Sequence, residues 1–234
     1  MAKGAQVKRG GVGRRLPGRL LPRLFFEAPP EVVGPRLLGK LLVHRSRNGL
    51  LAGRIVEVEA YLGPHNNPPD PAAHSHRGPT PRSLVLFGHA GHAYVYTIYG
   101  RYFCMNVSCE IEGRAGCVLL RALEPVAGID QMALNRGVAV DGLAPEKLAR
   151  QLTSEPSRLC QALGLTRVSH NGLDLAGSAS RLQVRDDGCA VTEMLITARI
   201  GIHEAVDWPL RFAMPEHHCV SGKRSLPGRR VSLA

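Results

Sequence analysis

The sequence is poor in aromatic residues and has no long apolar run. Phe, Trp and Tyr together make up 5% of its 234 residues. No segment approaches the roughly 18 apolar residues of a membrane span, and the N-terminus lacks the apolar stretch of a secretory signal. Six cysteines occur without a CxxC pair or Cys/His ligand spacing, and a chain of this size needs no disulfide staples. We therefore expect neither a membrane protein nor a secreted one, and we interpret the cysteines as reduced intracellular thiols.

Negative charge is scarce relative to positive charge. The chain has 30 Lys and Arg against 19 Asp and Glu, a formal net charge of +11, and no acidic residue precedes Glu27. Such a field attracts polyanions, nucleic acid above all, although charge alone names no function. A hydrophobic content of 44% is typical of a globular chain. We predict one domain over residues 24–222, a basic disordered arm or targeting segment at 1–23, and a basic tail at 223–234.

The first half of that domain is rich in strand-like runs. Residues 40–44 and 53–61 flank an Arg-Asn-Gly turn signal at Arg47–Gly49 and predict a hairpin. In the second run, the two-residue period of a strand sends alternate side chains to opposite faces. One face is predicted to carry Ile55, Glu57, Glu59 and Tyr61.

A second predicted hairpin follows a long loop at 62–82 that is rich in Pro, Gly, Asn and His. Its strands are expected at 93–98 and 102–108, with a tyrosine and an arginine near the tip at 99–101. A further strand is expected at 116–121. Long loops on a rigid scaffold often carry function.

Helical patterns appear only after Leu123. Capping and breaker signals predict helices at 126–135, 145–152 and 154–164. Short strands return at 182–184, 196–200 and 210–212. We therefore predict an α+β fold, a single compact domain with a curved, largely antiparallel sheet, a protruding β-hairpin and flanking helices.

All five tyrosines lie between positions 61 and 102, and Glu59 is close to the first of them. Aromatic faces can hold a nucleobase, and a carboxylate can deprotonate an attacking water. A single tyrosine in a strand is nevertheless often only a half-buried core residue. Spacing alone leaves the roles of these residues open.

Five ordered segments resemble the alkyladenine DNA glycosylase family, also called 3-methyladenine or methylpurine DNA glycosylases. The resemblance runs from about Leu24 to Phe212, and several ordered motifs are far more specific than one short pattern. The segments are Gly53–Pro64 (GRIVEVEAYLGP), Ala72–Ser75 (AAHS), Thr80–Arg82 (TPR), Tyr94–Asn106 (YVYTIYGRYFCMN) and Val118–Pro125 (VLLRALEP).

The resemblance implies a role for each matching residue. Glu59 would be the general base for the attacking water, with Arg121 beside it. A flipped base would be held by Tyr61, His74 and Tyr96. Asn106 would crowd the exocyclic amino group of normal guanine, and Tyr99 would be the wedge at the hairpin tip. DNA contacts are expected from Thr80, Arg82 and Arg101.

The resemblance also implies the reaction. The enzyme would flip alkylated or deaminated purines, such as 3-methyladenine, 7-methylguanine, hypoxanthine and ethenoadenine, from double-stranded DNA and hydrolyse the N-glycosidic bond. It would act as a monomer without cofactor or metal, wherever the DNA is: in a nucleus, a bacterial cytoplasm or an organelle. An amine nucleophile is not expected, because no lysine occurs between Lys40 and Lys147.

Three alternatives remain open at this point. Glu57 shares the predicted face of Glu59 and competes for the catalytic role. The chain could be a basic nucleic-acid-binding module without catalysis. A metal hydrolase is the third alternative, although the spacing lacks an HExxH arrangement; its ligands would be His74, His76, His89 and His92.

The sequence departs from the family pattern in three places. The loop at 62–73 is several residues longer. Ser83-Leu84 replaces a common Asn-Arg pair, which removes a DNA contact beside Arg82. Glu155 stands where glycine is usual, before Pro156, and brings a negative charge to a helix start that often faces DNA.

Overall fold

An open antiparallel sheet organises the chain, for which the computed structural model describes residues 16–222 and 228–233. Every strand pairing among these residues is antiparallel, and helices pack beside the sheet, which confirms the predicted α+β class. The ten strands are β1 (Arg19–Leu20), β2 (Leu41–Ser46), β3 (Gly49–Tyr61), β4 (Ala93–Ile98), β5 (Tyr102–Cys109), β6 (Gly116–Ala127), β7 (Leu182–Asp186), β8 (Glu193–Thr197), β9 (Arg211–Ala213) and β10 (Arg229–Ser232).

The thirteen-residue strand β3 is where the sheet branches. The main path runs β1-β7-β2-β3-β6-β5-β4, so the two predicted hairpins, β2–β3 and β4–β5, are both present. On one edge, β3 pairs first with β2, up to Arg54, and then with β9, from Glu57 to Glu59. Strands β8 and β10 continue outward from β9. The stretch 57–59 is thus enclosed by β6 on one side and β9 on the other.

The helices are short: α1 (Pro30–Leu37), α2 (Ile129–Arg136), α3 (Pro145–Thr153), α4 (Pro156–Ala162) and α5 (Arg167–His170). The helix predicted at 126–135 is present as α2 but begins three residues later, because β6 stays paired with β3 as far as Ala127. Gly128 then turns the chain at φ 77°, where a Cβ atom would lie 2.5 Å from the Leu51 side chain. Among the described residues, no helix combines the length and the apolar character needed to cross a bilayer.

The sheet extends past both predicted domain boundaries. Residues 1–15, 223–227 and 234 lie outside the described residues. Within the predicted arm, however, Arg19–Leu20 pair with β7, and Arg23 forms an ion pair with Asp174 at 2.7 Å. In the predicted tail, Arg229–Ser232 pair with β8. The sequence did not predict these two edge strands, since strands of two to four residues carry too little pattern to be recognised in a basic segment. The domain bounds themselves stay a prediction.

A β-bulge changes the predicted faces of β3. Between Ile55 and Glu57 the strand advances two residues while β6 advances one, so Val56 is the extra residue. Ile55 consequently packs in the main core with Val58 and Ala60, and its predicted place on the face of Glu57 was wrong. The prediction that Glu57 and Glu59 share a face is confirmed, because both carboxylates contact one arginine. The strand predicted at 196–200 was also misplaced, since β8 ends at Thr197.

Two buried histidines join β2 to α5. The Nε2 atoms of His44 and His170 lie 3.3 Å apart. His44 Nδ1 is 2.9 Å from the Leu163 carbonyl, to which it donates, and His170 Nδ1 accepts the Thr166 amide. With His170 Nδ1 as that acceptor, the proton between the rings sits on His170 Nε2, and both histidines are satisfied as neutral rings.

This pair should make the protein less stable in mild acid. Burial, followed by repulsion from His44 and Arg181, lowers the pKa of His170 to about 4; burial also lowers the pKa of His44. Because an unfolded histidine titrates near 6.5, the unfolded state binds protons first as the pH falls. We expect the free energy of unfolding, measured with urea, to decrease between pH 6.5 and about 4. His170→Gln should flatten this dependence, whereas the exposed-loop control His65→Gln should reproduce the parent curve; equal slopes would contradict the assignment.

Candidate active site

The junction of β3, β6 and β9 places two carboxylates and one arginine together. A second register shift, between Glu57 and Val58, makes Arg121 the extra residue of β6. This bulge directs the Arg121 side chain between the two glutamates of β3. Its Nε is 2.8 Å from Glu57 Oε1, and its Nη1 is 3.1 Å from Glu59 Oε1.

Glu59 is fully buried, accepts two hydrogen bonds and pairs with one guanidinium. Oε1 accepts the Ile200 backbone N–H at 2.7 Å and lies 3.1 Å from Arg121 Nη1. Oε2 receives one donor, the Tyr61 hydroxyl, at 3.0 Å. Glu59 is therefore held by β3, β6 and the segment after β8, and Oε2 is the less saturated of its two oxygens.

Glu57 is equally buried but saturated. Its Oε1 accepts from Arg121 Nε, Arg211 Nε and the Ser221 hydroxyl, at 2.7 to 2.8 Å. Its Oε2 accepts the Ser221 backbone N–H at 2.6 Å. This carboxylate neutralises two buried guanidiniums and ties three distant parts of the chain together, an arrangement typical of a structural anchor rather than of a base.

Electrostatics keep the Arg121 charge in place. Burial alone would lower the pKa of Arg121, but the carboxylates of Glu59 and Glu57 outweigh it and raise the pKa. The buried guanidinium thus remains charged between the two glutamates.

A cavity of about 600 Å³ opens above this group. Tyr61 and Arg121, both bound to Glu59, form part of its wall, so the carboxylate lies directly behind the lining. Five further predicted residues also line it: His74, Arg82, Tyr96, Tyr99 and Asn106. The sequence analysis assigned no role to the other lining residues, among them Cys104, Cys117, Leu119, Ile200 and Ile202.

His74 faces the cavity as an uncharged ring. It packs edge-on against Tyr96, with centroids 4.6 Å apart, and its Nδ1 lies 2.9 Å from the Tyr94 hydroxyl. Nε2 lies 3.2 Å from Arg82, which can only donate, so Nδ1 must carry the proton. Although the ring is open to solvent on one side, burial against the tyrosines and the charge of Arg82 lower the pKa of His74 to about 4.

The predicted DNA-contact residues occupy two loops. Tyr99 stands at the tip of the β4–β5 hairpin with 89% of its surface exposed and a φ of 48°. Arg101, two residues on, lies over Tyr102 at 4.7 Å. Arg82 lies over Tyr96 at 5.0 Å. Thr80 does not reach the cavity and instead caps a turn through Ser83.

The long loop at 62–73 is anchored by a buried ion pair. Asp70 binds Arg199 through two contacts, at 2.6 and 2.9 Å, and both side chains are fully buried. Asp70 also accepts the backbone N–H groups of Leu62 and Ala72. Arg199 in turn lies 4.6 Å from the Tyr61 ring. The added length of this loop therefore does not detach His74 from the cavity.

Glu155 adopts a backbone conformation that favours glycine. Its φ is 135° and its ψ 146°, which costs on the order of 1–3 kcal/mol for a residue with a Cβ. Its N–H donates to the Arg121 carbonyl at 3.1 Å, and the residue lines the cavity mouth. The departure from glycine seen in the sequence thus places both strain and negative charge beside the site.

Comparison with known proteins agrees with these features. The family described as Methylpurine-DNA glycosylase (MPG) matches residues 24–218, which include the whole cavity lining. A Koribacter versatilis protein named "Putative 3-methyladenine DNA glycosylase" is 50% identical over 206 residues, covering 88% of this chain and 95% of that protein. Proteins of the same name from Methanoculleus marisnigri and Burkholderia lata are 46% and 41% identical, covering 86% and 92% of this chain and 98% of each protein. The chain therefore belongs to the methylpurine-DNA glycosylase family.

Proposed function

We propose that this protein removes alkylated and deaminated purines from duplex DNA by hydrolysing the N-glycosidic bond. The lesions would include 3-methyladenine, 7-methylguanine, hypoxanthine and ethenoadenine, and the enzyme would act as a monomer without a cofactor or a catalytic metal. One observation carries the proposal: the buried Glu59 carboxylate lies directly behind the wall of a cavity large enough for a nucleobase. The net charge of +11 suits a DNA duplex.

The cavity chemistry fits a flipped purine, including a cationic one. Tyr61, His74 and Tyr96 would surround the base, and tyrosine faces attract a positively charged alkylpurine by about 0.5 to 2 kcal/mol. A neutral His74 would not repel a positively charged base. The exposed Arg82 would leave the Tyr96 face for a DNA phosphate, and Tyr99 would fill the gap left in the duplex.

Glu59 would act as the general base. A water that binds Oε2 would displace one hydrogen bond, the one from the Tyr61 hydroxyl. The water oxygen attacks the anomeric carbon, the water proton passes to Glu59, and the electrons of the breaking C–N bond leave with the purine. The Arg121 guanidinium lies 3.1 Å from Glu59 Oε1 and would hold the carboxylate in position for the attack. Among the described residues no lysine lines the cavity, so we propose water rather than an amine as the nucleophile.

Duplex oligonucleotides with a single lesion test the function. Substrates with one hypoxanthine, ethenoadenine or 7-methylguanine should be cleaved at that position only after alkali, because hydrolysis leaves an intact abasic strand. The undamaged duplex is the control, and a chelator should not abolish base release, because no metal takes part in the proposed reaction. Salt-sensitive binding without base release would support the non-catalytic nucleic-acid-binding module instead.

Asn106 should discriminate against guanine. Its Nδ2 donates to the Tyr94 carbonyl at 3.3 Å and its Oδ1 lies 3.6 Å from the Cys117 thiol, so the amide is fixed on both sides within the cavity wall. Asn106→Ala should raise the release of guanine relative to hypoxanthine by about tenfold or more. Cys117→Ala, which frees Oδ1 alone, should give a smaller rise in the same direction. An unchanged ratio in a folded Asn106→Ala variant would make Asn106 merely a strand residue.

A further inference from the structure

Three consecutive side chains in the turn before Ser221 bring potential metal-ligating atoms close together. One ligand atom from each of His217, His218 and Cys219 lies within 4.8 Å of both others. The Val220 N–H donates to the His217 carbonyl at 3.0 Å, which closes the turn. The two imidazoles stack with centroids 4.5 Å apart. In an extended chain, neighbouring side chains point to opposite sides, so the turn itself creates the cluster.

A carboxylate completes the set. Glu124 Oε2 lies 3.7 Å from His217 Nε2. The other ring nitrogen, Nδ1, accepts the Cys219 N–H at 3.2 Å, which leaves Nε2 directed toward Glu124. One thiolate, one carboxylate and two imidazoles would balance the charge of a divalent ion and match the ligand types that zinc prefers.

Neighbouring cations are engaged elsewhere. Arg54 approaches Glu124 at 3.8 Å but directs two hydrogen bonds of 2.9 Å at Asp187. Arg150 donates to the backbone carbonyls of His218 and Val220, so it stabilises the turn through its main chain. Neither guanidinium contributes a hydrogen bond to the cluster's own nitrogen and sulfur atoms in this structure.

The cluster is distinct from the candidate active site. His218 and Glu124 line a separate cavity of about 280 Å³, which shares no residue with the one beside Tyr61. Within residues 16–222 and 228–233, no other trio of His, Cys, Asp or Glu brings its ligand atoms this close. The residues suggested by sequence, among them His89 and His92, do not form such a group.

We propose that His217, His218 and Cys219, with Glu124 as the fourth ligand, form a structural zinc site. Tetrahedral zinc holds its ligand atoms roughly 3.3 to 3.7 Å apart, so binding requires side-chain rotations that close the 4.8 Å spread of the trio and bring Glu124, now 3.7 Å from His217 Nε2, to the ion. Binding forms the Zn–S bond and releases the thiol proton to solvent. Zinc would lock the turn that presents Ser221 to Glu57, and so stabilise the support of the active site without taking part in the reaction.

Zinc titration of chelator-stripped, desalted full-length protein tests the site. By calorimetry we expect one equivalent of Zn²⁺ to bind with a dissociation constant of about 1 µM or tighter, and to raise the melting temperature. His218→Gln and Cys219→Ser should each weaken binding by at least about tenfold. Cys189→Ser, which removes a thiol outside the cluster, is the matched control and should bind like the parent.

Cobalt adds a readout that does not depend on stability. Co²⁺ should give a sulfur-to-metal charge-transfer band that persists in His218→Gln and disappears in Cys219→Ser. Since Cys219 is buried, the half-buried His218 provides the variant that is expected to fold. Parent protein that binds no zinc, or variants that bind as tightly as the parent, would overturn the proposal. Base release is not a readout, so the zinc site and the proposed function fail independently.

Discussion

Glu59→Gln should lower the rate of base release by about 10²- to 10⁴-fold while lesion binding is retained, as expected when a general base is removed. The fold should tolerate the change. The Gln Nε2 can replace Oε2 and donate to the Tyr61 hydroxyl, which can act as an acceptor. The remaining oxygen can then keep the Ile200 N–H and Arg121.

Single-turnover kinetics on a lesion duplex, with binding measured separately, decide this prediction. The melting temperature of Glu59→Gln should fall less than that of Glu57→Gln, because Arg121 keeps its hydrogen bond to Glu57. If the variant releases hypoxanthine at the parent rate, Glu59 is not the base and the mechanism proposed here is wrong.

Glu57→Gln, the same substitution two residues away, should lower stability by about 3–5 kcal/mol, because it removes the charge that neutralises two buried guanidiniums. No amide orientation fits this position. Oε1 faces Arg121 and Arg211, and Oε2 faces the Ser221 N–H, all of which can only donate. The Gln amide would therefore oppose a donor either way.

Comparing these two isosteric variants thus distinguishes the loss of the general base from the loss of a structural ion pair. Urea unfolding should show the large loss for Glu57→Gln only. At a temperature where that variant remains folded, its base release should fall less than that of Glu59→Gln. A stable Glu57→Gln protein that is inactive would instead identify Glu57 as the base and reverse the assignment.

Local pattern was sufficient for much of the fold and for most cavity residues. The turn signal at Arg47–Gly49 and the alternation in 53–61 predicted the β2–β3 hairpin, and proline signals placed α3 and α4. The motif resemblance led to Tyr61, His74, Tyr96 and Asn106, all of which line one cavity. Their roles, and that of Glu59, remain predictions.

The sequence could not predict contacts between residues that lie far apart along the chain. Nothing local marks Arg211, Ser221 or Arg199, whose importance comes from strands and loops that meet buried carboxylates far along the chain. The bulges that place Ile55 in the core and Arg121 between the glutamates were missed for a related reason. A bulge is a property of two paired strands, and strict alternation in one strand cannot reveal it.

The anchoring of Glu57 also bears on the order in which the molecule folds. Its partners Arg121, Arg211 and Ser221 are 64, 154 and 164 positions away, whereas the β4–β5 hairpin closes over neighbouring residues. Contacts between remote parts of a chain form slowly, because a large loop must close first. A chain emerging from the ribosome can therefore form the β4–β5 hairpin long before residues 211–221 are available to bind the Glu57 carboxylate. The ability to break a glycosidic bond would then be among the last properties that the growing chain acquires.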